Sequence, residues 1–226
     1  MRYTWLLFDA DNTLFDFDLS EKEALKDLCD FLSLEFSEAI LQAYQRINKA
    51  VWQAFEEGAF PQAEIGTRRF AGFLVEIGST EKPETVSKLY RQKLSEKHFL
   101  YDASLELVKT LSQTHKLLII TNGLKDVQRP RFNRSPIKSY FEAIVISDEL
   151  GAAKPKPEIF DAAFEKMKQP DKSDVLIIGD SLSSDMQGGY RYGIDTCWFN
   201  PNVKANSLGI PITHEITRLE HLLALV

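Results

Sequence analysis

Five short apolar runs punctuate the chain, and four of them stop abruptly at polar residues. They are Tyr3–Phe8 before Asp9, Leu117–Ile120 before Thr121, Ala143–Ile146 before Ser147, Val175–Ile178 before Gly179 and Asp180, and Thr196–Phe199. Each is rich in branched or aromatic side chains without polar alternation, the signature of strands covered on both faces of a parallel sheet. Helical spacing lies between them. Residues 103–114 put Leu105, Val108 and Leu111 on one face, and residues 157–168 put Ile159, Phe160, Ala163, Phe164 and Met167 on another, with Pro157 suited to a first helical turn. Strands alternating with helices predict an α/β core with a doubly wound, Rossmann-like parallel sheet. Residues 19–97 break the rhythm: four helical patterns (20–34, 38–57, 62–77 and 83–97) follow one another without a strand. They predict an all-helical cap inserted after the first strand, so that the core is residues 1–18 with 98–226 and the cap is 19–97. The insert's aromatics, Trp52, Phe55, Phe60, Phe70 and Phe73, are expected mostly to pack its own small core.

Charge narrows the choice of partners. The 226 residues carry a net charge of −6, with no run of basic residues, so the electrostatic footprint of a nucleic-acid polymer binder is missing. No stretch approaches the roughly 20 apolar residues that span a bilayer. The two cysteines, Cys29 and Cys197, lie far apart and form no metal-ligating motif, so a reducing, cytoplasmic setting is expected, as a monomer or weak homo-oligomer.

Ligands of open α/β sheets bind beyond the carboxyl ends of the strands, so the polar residues after each run are the ones that can carry chemistry. Asp9 and Asp11 follow the first run; Thr121, Asn122 and Gly123 follow the second; Lys154 leads into the helix at 157; Asp180 and Asp185 follow the fourth. Singly, each has an ordinary reading: Asp and Asn form turns, a lysine is a solvated charge, and Ser183 caps a helix. Jointly, four carboxylates in one cleft would repel, and an all-oxygen set favours Mg²⁺. With Lys154 and the Thr121 hydroxyl, such a centre suits a phosphoryl group on a small molecule. One carboxylate of the first pair can attack phosphorus; the other can protonate the leaving oxygen and then deprotonate water. For that acid role Asp11 must hold a proton at neutral pH, and the expected cause is neighbouring carboxylates in a site closed to water.

These residues resemble the four motifs of the haloacid dehalogenase-like (HAD) hydrolase superfamily: DADNT at 9–13, Thr121, Lys154 and GDSLSSD at 179–185. The resemblance implies Asp9 as nucleophile and Asp11 as general acid and base. It implies Mg²⁺ held by Asp9, the Asp11 backbone carbonyl and Asp180, with Asp185 positioning metal-bound water, and phosphate held by Thr121, Asn122 and Lys154. Members that cleave carbon–halogen bonds lack the second Asp, so Asp11 points to phosphate esters. More narrowly, FDADNTLFDFD, ITNGLKDVQRPRF and VISDELGAAKPKPEIFD are similar to the bacterial pyrimidine 5′-nucleotidases, which implies a nucleoside monophosphate substrate, with Phe17 and Trp52 as candidates to pack against the base. The alternative within the superfamily is a sugar-phosphate phosphatase or phosphomutase.

Overall fold

The apolar runs become strands in the computed structural model, which describes residues 2–226. They are β1 (Trp5–Phe8), β2 (Lys116–Thr121), β3 (Ala143–Ile146), β4 (Val175–Gly179) and β5 (Asp195–Phe199). A sixth, β6 (His214–Ile216), has only three residues and lies at the sheet edge, where no apolar run is needed. All neighbours pair in parallel in the order β3-β2-β1-β4-β5-β6. Side chains alternate across the sheet. Leu6 and Phe8 of β1 therefore join one buried cluster with Val108 and Leu111, and Trp5 and Leu7 join the opposite one with Ile159, Phe160 and Phe164. Burial on both faces is why the strand sequences read as unbroken apolar runs.

The helices of this unit are α5 (Ser104–Leu111), α6 (Lys125–Arg134), α7 (Ser147–Leu150), α8 (Pro157–Lys166) and α9 (Gln187–Tyr192). α5 and α8 match the spacing seen in the sequence but stop short of its ends. α6 and α7 carry no comparable apolar stripe.

The chain divides into two units, Met1–Phe17 with His98–Val226, and Asp18–Lys97. The second unit is helical: α1 (Phe17–Phe31, opening on the last residue of the first unit), α2 (Glu38–Glu56), α3 (Ile65–Glu76) and α4 (Pro83–Glu96). Its aromatic core is Tyr44, Phe70, Phe73 and Tyr90, all fully buried, with Phe70 and Tyr90 ring centroids 5.2 Å apart. Trp52, Phe55 and Phe60 are only half-buried, and Trp52 sits edge-on to Phe55 at 5.8 Å. Beside the rings lies a buried polar chain. Arg69 Nη1 donates to Asn48 Oδ1 (3.0 Å), and Asn48 Nδ2 donates to Glu21 Oε1 (2.8 Å).

Both cysteines are buried, and neither is in a disulfide. Among the described residues no helix is long and apolar enough to cross a membrane.

Candidate active site

Strand order reverses at β1, whose neighbours are β2 on one side and β4 on the other, so the carboxyl ends of these strands face the crevice where such sheets bind ligands. Phe8 is in register with Ile119 and Ile178, which brings the residues after the three strands together. The Asp9 amide still follows the ladder, donating to Ile178 O (2.8 Å). The chain then turns. Leu14 and Phe15 both donate to Ala10 O, and Asn12 takes the left-handed conformation (φ 60°) that asparagine tolerates better than most residues.

Carboxylate oxygens of Asp9, Asp180 and Asp185 lie within 4.8 Å of one another. The fully buried Lys154 reaches into this cluster. Its ammonium donates to Asp9 Oδ1 (2.6 Å), Asp185 Oδ1 (2.7 Å) and the carbonyl of Ile120 (2.7 Å). Burial alone would lower the Lys154 pKa, but the charges of Asp185 and Asp9 outweigh it and hold the group above the ordinary lysine range. Burial raises the Asp9 carboxyl well above the usual range, against the pull of Lys154, and it lifts Asp180 to about 7 with help from the Asp185 charge. The result is a surplus of negative charge: three carboxylates gather around the Lys154 ammonium, and Lys204 adds only a weaker pull on Asp180. A divalent cation with oxygen ligands matches both the donor set and the remaining charge, so the residues present fit Mg²⁺.

Local structure aims each group. Thr13 Oγ1 donates to Asp9 Oδ2 (3.3 Å). Asp180 is anchored through its carbonyl, which accepts from Trp198 Nε1 (2.9 Å). Asp185 lies in a turn of π-helix (Leu182–Met186), an arrangement common at functional sites, and accepts from the Ser181 amide through Oδ2 (3.1 Å). Ser181, not Ser183, caps this segment, accepting from the Ser184 amide (3.2 Å). Gly179 makes room: a Cβ there would stand 2.3 Å from Asp185 Cγ.

The phosphate-site candidates divide. Thr121 ends β2, buried, with its hydroxyl accepting from the Gly123 amide (3.3 Å). Asn122 uses both ends of its side chain on the Lys154 backbone, donating to its carbonyl (2.9 Å) and accepting from its amide (2.7 Å). It thereby fixes the segment that carries the lysine.

Asp11 stands apart from the acidic cluster. Its Oδ1 accepts from Arg131 Nη1 (2.6 Å) and its Oδ2 from Gln128 Nε2 (2.5 Å). The neighbour of Asp11 is thus a cation rather than the carboxylates that sequence reasoning placed there. Neither Arg131 nor Gln128 stood out in the sequence, because both read as surface residues of a polar segment. The available signal is their spacing, three apart on one helix face just after Gly123.

The haloacid dehalogenase-like hydrolase family model matches residues 3–193, most of the chain and all of the candidate catalytic, metal and phosphate positions above. The chain belongs to this family. Among its curated HAD relatives, YfnB of Bacillus subtilis is 38% identical, covering 98% of this chain and 94% of that protein. YjjG of Escherichia coli, a pyrimidine 5′-nucleotidase, is 33% identical over 98% of this chain and 97% of its own. PynA of Streptococcus pneumoniae, also a pyrimidine 5′-nucleotidase, is 31% identical over 99% and 94%. A magnesium-bound crystal structure of YfnB, described as revealing interdomain movement, superposes with a TM-score of 0.94 at 37% identity, over 100% of this chain and 99% of that one. Within the HAD hydrolases this chain is a phosphoric monoester hydrolase, and its relatives support activity on nucleotides.

Proposed function

We propose that the protein is a Mg²⁺-dependent phosphatase of nucleoside 5′-monophosphates, pyrimidine nucleotides foremost, working through an aspartyl-phosphate. The observation that carries the reading is Lys154 shared between Asp9 and Asp185 beside Asp180: a nucleophile, a cation for phosphoryl oxygens and a metal nest in one place. The nucleotide preference rests on the pyrimidine 5′-nucleotidases YjjG and PynA.

Asp9 and Asp180, with the Asp11 carbonyl and with Asp185 as an outer contact, would hold Mg²⁺, which when bound supplies positive charge for the phosphoryl oxygens and relieves repulsion among the carboxylates. Lys154 and Thr121 bind the phosphoryl group, and Asn122 keeps Lys154 in place. A carboxylate oxygen of Asp9 attacks phosphorus. The ester P–O bond breaks, its electron pair stays on the leaving oxygen, and that oxygen takes the proton of Asp11. Water then attacks the aspartyl-phosphate and gives a proton to Asp11, the bond between Asp9 and phosphorus breaks, and phosphate leaves. The helical unit serves as the cap, Trp52 is one candidate for base recognition, and Phe17, placed in the core unit next to Arg131, is the other.

The test is phosphate release from a panel of nucleoside 5′-monophosphates with Mg²⁺ or EDTA, for wild type and Asp9→Asn. The expected result is Mg²⁺-dependent release from pyrimidine nucleotides, lost in the variant. Release from sugar phosphates alone would discard the nucleotide reading, and transfer to a second sugar hydroxyl without phosphate accumulation would make the protein a mutase.

A further inference from the structure

Asp11 is gripped by two side chains that come from far along the chain. Arg131 is fully buried and Gln128 nearly so, and each donates to a different oxygen of the same carboxylate. The two are themselves linked, Arg131 Nη1 lying 3.4 Å from Gln128 Oε1. The guanidinium also lies over the rings of Phe15 and Phe17, 5.0 and 5.7 Å from their centroids. Space for the clamp is provided at Gly123, where a Cβ would stand 2.3 Å from Gln128 Nε2.

Each carboxyl oxygen has two lone pairs. The clamp engages one on each oxygen and leaves the other, so it constrains where the carboxyl sits while leaving each oxygen a lone pair for a further partner. Burying an arginine is costly unless it is paired, and Arg131 has the Asp11 carboxylate as an ion-pair partner. A side chain that must meet a leaving oxygen at hydrogen-bond distance gains from such restraint, because misplacement by about 1 Å can cost on the order of a hundredfold in rate.

We propose that Arg131 and Gln128 are positioning residues that aim Asp11 at the leaving oxygen. The inference rests on the reading of Asp11 as general acid in the step where the Asp9–phosphorus bond forms, the ester bond breaks and the Asp11 proton moves to the departing oxygen. The experiment measures kcat/KM, which reports events up to departure of the alcohol, for phenyl, 4-chlorophenyl and 4-nitrophenyl phosphate. These esters share a shape and differ in how much the leaving oxygen needs a proton, so the natural substrate need not be known.

Wild type should depend little on the leaving group, and Asp11→Asn steeply. Arg131→Met and Gln128→Leu should steepen the dependence, with phenyl phosphate losing about tenfold more than 4-nitrophenyl phosphate. Arg131→Lys should recover part of the loss, and Arg131→Met added to Asp11→Asn should steepen it no further. Gln128→Leu removes no charge and serves if Arg131→Met does not fold. If Asp11→Asn steepens the dependence while the clamp variants slow all three esters equally or not at all, the clamp is merely structural and the inference is overturned. If Asp11→Asn itself leaves the dependence flat, the general-acid reading fails, and the inference with it.

Discussion

A single missing methyl group governs whether Asp185 can reach its partners. Gly179 ends β4 with the Asp185 side chain lying where a Cβ would be. Gly179→Ala should push Asp185 away from Lys154 and from the acidic cluster, leaving the strand backbone in place. The expected outcome is an apparent Mg²⁺ affinity reduced about 10–100-fold, the range for losing an outer contact of a metal site, read from Mg²⁺ titrations of phosphate release. Unchanged affinity would mean that Asp185 has another route to the metal. The ends of apolar runs mark Asp9, Thr121 and Asp180, whereas Lys154 and Asp185 lie further from a strand end and are marked by the resemblance to the HAD motifs. Arg131 and Gln128 are marked by neither, since their purpose depends on a partner 120 and 117 residues away. Nothing local marks an arginine whose carboxylate is that distant.

Elements were legible in proportion to how apolar their buried surface is. β1 to β5 are covered on both faces, and α5 and α8 show an apolar stripe, so their hydrophobic pattern is strong. α6 has the sequence KDVQRPRFNR with Pro130 inside it, and its buried face includes Gln128 and Arg131. A helix that buries polar groups hides from any search for apolar periodicity. The turn bearing Asp185 has a more ordinary support, the Ser181 cap. Ser181→Ala should cost about 0.5–2 kcal/mol in denaturant unfolding, the usual worth of a serine cap. A loss well beyond that would mean the hydroxyl also holds the π-turn in shape.

At the scale of the whole molecule, a buried carboxyl of the helical unit makes stability depend on pH. Burial lifts the Glu21 pKa in the helical unit from 4.5 to about 7, against hydrogen bonds from Gln45 and Asn48 and the charge of Arg69, while Asp18 reinforces the rise. A folded-state value above the unfolded one means that the folded form holds the proton more tightly. The resulting stability is fully present below pH 4.5 and is lost as pH rises through 7, by a total on the order of 3 kcal/mol. Glu21→Gln keeps a neutral side chain of similar shape and removes this dependence. Thermal melts of both proteins from pH 4 to 8 should therefore show the wild type losing ground steadily between about 4.5 and 7, with a constant difference above. Parallel curves would place the Glu21 carboxyl in a wetter setting than its burial implies.

β1 lies in the middle of the sheet, yet its partners β2 and β4 follow only at residues 116–121 and 175–179. During synthesis the four residues Trp-Leu-Leu-Phe leave the ribosome long before anything exists for them to pair with. At about 5–20 residues per second, the wait for β4 is on the order of ten to thirty seconds. The helical unit, contiguous in the chain at Asp18–Lys97, has no such delay. Newborn chains of this protein thus carry a sticky leader ahead of a unit able to organise first, and the burden of shielding that leader falls on chaperones or on the growing chain itself.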